Sequence, residues 1–115
     1  MSAELALRIG LGIVTVTFGI DQLRKWEPWS AYVPEWLKWT MLPTEKLFWR
    51  THASLNVLLG IALFAGLYLK WVALLVTLWL AVITFVTLFT DWRIAVRDLG
   101  LTAAALAMWL IVSGL

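Results

Sequence analysis

WVALLVTLWLAVITFVTLF, residues 71–89, runs for nineteen positions without a charge, a proline or a glycine. As a helix rising about 1.5 Å per residue it covers about 28 Å, close to the ~30 Å thickness of bilayer hydrocarbon. Its polar positions, Thr77, Thr84 and Thr87, do not follow the two-residue alternation of a barrel strand. Backbone amides find no water partner in hydrocarbon, so a spanning segment of this kind must satisfy them within a helix.

Working outward, three more apolar blocks of similar length flank it, at about 5–20, 53–69 and 99–115. Extended to their polar ends, the expected spans are about 5–23, 46–69, 71–90 and 94–115. A chain of 115 residues that is 63% hydrophobic has too much surface for its volume to hide those side chains from water, so lipid takes their place. The expected fold is a single all-α domain over 1–115, an integral membrane four-helix bundle. The start, Met-Ser-Ala-Glu, carries no early positive charge, and Arg8 interrupts the first apolar run. That block therefore reads as a retained span, not a cleaved leader.

Successive spans alternate in direction, so the end of the first, the start of the second, the end of the third and the start of the fourth share one membrane face. Nearly all polar residues collect there, among them Asp21, Lys25, His52, Asn56, Asp91, Arg97 and Asp98. The opposite face receives only Glu4, Arg8 and Lys70 as charged groups. Seven of the nine Lys and Arg residues lie on the polar face, which by the positive-inside rule places the connections between spans one and two and between spans three and four in the cytoplasm.

The first connection contains WEPWSAYVPEWLKW, residues 26–39, and five of the nine tryptophans fall between Trp26 and Trp49. Indole is a large apolar plate with one N–H donor, suited to the boundary between hydrocarbon and headgroups. Residues 26–43 are thus expected to form an interfacial segment of short helical turns punctuated by Pro28 and Pro34. Two roles fit it: a membrane anchor, or a lid that excludes water and offers Trp29 and Trp36 as stacking surfaces for a planar ligand.

Ionisable groups at or inside a span are costly and usually pair or line a cavity. Asp21, His52, Asn56, Asp91, Arg97 and Asp98 therefore form the candidate ligand-binding cluster under the lid. His52 and Asn56 are four residues apart and share a helix face. Arg97 and Asp98 point about 100° apart, which favours separate partners, with an interhelical Asp21–Arg97 pair as one option. The same groups would equally serve to fasten helix ends. Arg8, one turn after Glu4, reads as a locally paired, snorkelling side chain. Gly12 with Gly19, Ala62 with Gly66, and Gly100 with Ala104 and Ala107 read as helix-contact stripes.

One histidine and no cysteine leave neither a bis-histidine haem nor a zinc site, and no thiol to relay electrons. There is no phosphate loop and no nucleophile elbow, so no catalytic residue is assigned. A net charge of +2 gives no footprint for nucleic acid.

The segments RIGLGIVTVTFGIDQLRKWEPW (8–29), GLYLKWVAL (66–74) and IAVRDLGLTAAALA (94–107) resemble the DoxX family of small four-helix membrane proteins. The resemblance rests on the early arginine, on FGIDQL, on Gly60, Gly66 and Lys70, and on Arg97-Asp98-Leu99-Gly100-Leu101. It implies a four-span fold in a prokaryotic cell membrane. For some members it implies a place in membrane oxidoreductase complexes, including quinone-reducing thiosulfate oxidation and thiol-linked redox complexes. The chain departs from the family pattern at Asn56, near a position often acidic in relatives, which weakens a proton-coupled role there. The resulting expectation is a non-catalytic or quinone-binding subunit of a membrane oxidoreductase, with quinone as the ligand and other redox subunits or further copies of the chain as partners. The alternatives are an assembly protein that docks a larger partner or self-associates and, less favoured, a small-solute carrier.

Overall fold

A computed structural model describes residues 2–38 and 45–114. Positions 39–43 of the expected interfacial segment, Trp39 among them, and Leu115 lie outside those residues. The described residues form six helices and no strand: α1 (Ala3–Arg24), α2 (Glu27–Ser30), α3 (Glu35–Lys38), α4 (Glu45–Ala65), α5 (Leu69–Thr87) and α6 (Trp92–Ser113). The four long ones are each long and apolar enough to cross a bilayer, as the block pattern requires.

The helix ends follow local chemistry. Ser2 caps α1 by accepting the Leu5 amide at 3.1 Å, and Asp91 caps α6 by accepting the Arg93 amide at 3.0 Å. Pro28 sits in the first turn of α2, where its missing amide costs nothing. Pro34 precedes α3 and accepts from the Leu37 amide at 3.0 Å. The prolines thus open these short turns. α4 stops at Ala65, four residues before the expected end, because Gly66 adopts φ +70°, a left-handed conformation that ends a helix.

Arg8 completes that stop. Its Nε and Nη2 donate to the carbonyls of Leu63 and Phe64, each at 2.9 Å. The last carbonyls of a helix lack internal partners and carry the negative end of its dipole, so a guanidinium from a neighbouring helix satisfies both needs. The expected Glu4 partnership is not formed: no Arg8–Glu4 ion pair occurs among the described residues.

α1 packs along α4 and α5 along α6, while α1 touches α6 and α4 touches α5 more sparsely. In lipid, apolar surface does not drive helices together, so close backbone approach through small residues does. Gly19 leaves room for the Ala53 carbonyl and Val57, Gly60 for the Gly12 carbonyl with Thr15 and Val16, and Gly12 for the Phe64 ring. The Gly12–Gly19 stripe is a true seam. The other two expectations change in part: Gly66 is a turn residue against Arg8, and Gly100 faces open space while Ala104 packs against the core, the buried residues of α6 being Ala95, Asp98, Ala105 and Met108.

The bundle is filled unevenly. Leu11, Leu63, Ala73, Val76, Ala105 and Met108 belong to one packed core in the half that holds the α4–α5 turn. Toward the other end all four long helices border a cavity, and residues 29–37 of the connection between α1 and α4 lie over it.

Candidate functional site

That space is a cavity of about 720 Å³, within the usual range for small-molecule sites. Phe18 of α1, Phe48 and Trp49 of α4, and Trp79 of α5 supply most of its aromatic wall, and Trp29, Tyr32, Val33 and Leu37 roof it. The roof is tied to three elements. Trp29 Nε1 donates to Asp21 at 2.7 Å on α1, Ser30 donates to the Glu45 carboxylate at 3.0 Å on α4, and Thr90 donates to the Tyr32 carbonyl at 2.8 Å at the α5–α6 turn. Trp36 adds an edge contact to Phe89, with ring centroids 5.7 Å apart.

A chain of donors orders one wall. Trp79 Nε1–H can only donate, and it does so to Asn56 Oδ1 at 2.8 Å. This turns Asn56 Nδ2 toward Gln22 Oε1, 3.1 Å away. Gln22 Oε1 can only accept, so His52 Nδ1, also 3.1 Å from it, is the donor. In the neutral imidazole that leaves Nε2 with its lone pair, and His52 lines the cavity. The ring is held flat between Trp79 at 4.8 Å and Phe48 at 5.9 Å, both inclined by 28°, so it has little freedom to turn.

The facing wall holds Arg97 and Asp98. They pair with each other, Arg97 Nη2 and Nε donating to Asp98 Oδ1 at 3.0 and 3.2 Å, where separate partners were expected. The long guanidinium folds back because Asp98 is only 2% exposed and needs a counter-charge, and because the Phe18 ring, 4.9 Å away, offers it a π-face. No Asp21–Arg97 ion pair forms. Both residues instead line a smaller outer pocket of about 270 Å³ beside Trp29. Asp98 Oδ2 and Trp49 Nε1 are buried without hydrogen-bond partners among the described residues, and both side chains line the main cavity. A buried polar atom without a hydrogen bond costs about 1–3 kcal/mol, and Trp109 Nε1 and Ser113 Oγ, on residues that do not line the cavity, share that state.

Of the residues singled out from sequence, His52, Asn56, Arg97, Asp98 and Trp29 meet at the cavity. Asp21 holds the roof from outside it, Asp91 is a helix cap, and Trp36 packs outside on Phe89 while 54% exposed. Gln22, Trp49 and Trp79 were not foreseen. A mid-span tryptophan carries an N–H that must find an acceptor in hydrocarbon, and that signal points to Trp79. Nothing in one sequence ranks Gln22 above the exposed polar residues beside it.

No curated protein and no solved structure matches the chain. The family model describing DoxX matches residues 3–92, from the start of α1 to the first residue of α6. Four apolar helices of spanning length and a match over most of the chain agree: this integral membrane protein belongs to the DoxX family.

Proposed function

We propose that the chain is a quinone-binding, non-catalytic subunit of a membrane oxidoreductase assembly. The observation that carries the reading is the roofed, ring-lined cavity with His52, Asn56 and Asp98 among its lining residues. Phe18, Phe48, Trp49 and Trp79 line it with aromatic rings on which a planar ring can stack. His52 lines the cavity, and its Nε2 is an acceptor for the hydroxyl of the reduced form. Electrons come from another subunit, because a chain with no cysteine and one histidine has no thiol pair or bis-histidine haem site of its own.

The test is extraction of bound quinone from protein purified in mild detergent, followed by titration of the delipidated protein with a short-chain quinone. Saturable quenching of tryptophan fluorescence is expected, weakened about tenfold or more by His52→Leu. Absence of both bound quinone and saturable quenching overturns the reading.

One observation favours the assembly role as a second reading. Gly100 leaves open space on the exposed face of α6, a surface another helix can approach closely. Gly100→Leu then lowers recovery of any co-purifying partner while leaving quinone affinity unchanged.

A further inference from the structure

The cavity wall contains residues that keep much of their surface exposed. Leu55 of α4 and Leu75, Leu78 and Val82 of α5 line the cavity, yet each is 40 to 63% exposed. Such residues form the rim of an opening. On α5 they fall at i, i+3 and i+7 and so mark one face, and on α4 Leu55 stands one turn below Thr51, which is also exposed and lines the cavity. α4 and α5 are sparsely packed against each other, unlike the tight α1–α4 and α5–α6 pairs. The roof is fastened at α1, α4 and the α5–α6 turn, so the end toward water is the closed side. The rim is apolar and lies within two spanning helices, where hydrocarbon surrounds it.

We propose that the cavity opens sideways into the bilayer between α4 and α5 and takes a lipid-borne amphiphile, whose polar head stays beside His52 and Asp98 while its aliphatic tail leaves across Leu55, Leu75, Leu78 and Val82. Two independent features ask for the two ends of such a molecule. Asp98, 98% buried, lines the same cavity as the rim leucines, and its Oδ2 has no hydrogen-bond partner among the described residues. At the rim Leu55, Leu75, Leu78 and Val82 offer no polar group, and the Thr51 hydroxyl already donates to the Leu47 carbonyl at 3.0 Å. A ligand without a tail would leave the rim empty, and a tail without a head would leave Asp98 with its Arg97 pair through Oδ1 alone. Where the head is a quinone ring, this rests on the function proposed above; the opening and the tail do not.

The chain has no cysteine, so a nitroxide can be placed at Ile83→Cys, on the half-buried cavity wall, with Val86→Cys as a second position should the first variant fold poorly. In nanodiscs, collision of the nitroxide with oxygen and exclusion of a water-soluble nickel chelate are expected. Nickel access, or access of neither reagent, overturns the sideways opening. The spin label is then titrated with decylubiquinone, with its tail-less ring and with dodecanol. Immobilisation by decylubiquinone at concentrations at least tenfold below those needed for the ring alone supports the proposal and the quinone reading together. Immobilisation by dodecanol but by neither quinone keeps the tailed occupant and removes the quinone. Equal action of ring and tailed probes, or no effect of any of the three, overturns the tailed occupant.

Discussion

At Trp79 a single donor-only N–H sets the orientation of three further side chains, through Asn56 and Gln22 to His52. Because the chain has one histidine, ¹⁵N NMR reads the outcome without assignment, and a protonated Nδ1 with a lone-pair Nε2 is the expected signature. Trp79→Phe keeps the stacking ring but frees Asn56, so the tautomer preference should weaken and stability should fall by about 0.6 kcal/mol, the average for hydrogen bonds between membrane helices, and by no more than about 1.7 kcal/mol. Gln22→Leu should cost more in thermal unfolding in detergent, since it strands His52 and Asn56 together. At Asp98 the sign depends on what is removed. Arg97→Gln leaves a buried carboxyl with neither oxygen supported by a charge and should destabilise by about 1–3 kcal/mol, whereas adding Asp98→Asn to it should recover part of the loss.

At the scale of elements, the α1–α4 seam and the α4–α5 turn are the places where one atom matters. A Cβ at Gly19 would stand 2.8 Å from the Ala53 carbonyl oxygen and 2.6 Å from a Val57 methyl. Backbone cannot give way cheaply, so Gly19→Ala should lower stability by about 1–3 kcal/mol. Gly100→Ala meets nothing within 4 Å and should raise it by about 0.5–1 kcal/mol through helix propensity alone. Melting temperatures of the two variants in one detergent should therefore move in opposite directions. Arg8→Ala removes both donors to the end of α4. Faster amide exchange confined to residues 66–68 is expected, and Arg8→Lys should not restore protection, because an ammonium lacks the fork that reaches two carbonyls at once.

For the whole molecule, one half of the bundle is packed and the other encloses a cavity, so polarity and aromatic rings accumulate at the roofed end. Thr90→Val cuts the tie between roof and α5–α6 turn, and acrylamide should then quench tryptophan more strongly while the helix content stays unchanged. The seven-to-two distribution of Lys and Arg predicts which side the roof occupies. Single cysteines at Ala31→Cys on the roof and Leu67→Cys at the far turn, labelled with an impermeant maleimide in inverted and right-side-out vesicles, should react from opposite sides, Ala31→Cys from the cytoplasm. Labelling of both from one side would contradict the four-span topology.

The number of spans, their helical form and the gathering of polar residues at one end were settled by the sequence, because the cost of unpaired amides in hydrocarbon admits few solutions and block length alone chooses among them. His52 and Asn56 were legible as a pair because a helix places i and i+4 on one face, and Gly12 with Gly19 because small residues two turns apart admit a neighbouring backbone. Tertiary structure decided the rest. Whether Arg97 reaches Asp21 or folds back to Asp98, whether Arg8 serves its own helix or the end of α4, and whether Gly66 packs or turns all depend on what stands across from each side chain. Such distances between helices leave no trace in spacing along one chain. The cavity is the strongest case: all four long helices and the tied roof line it, a property of the elements together and of no one of them.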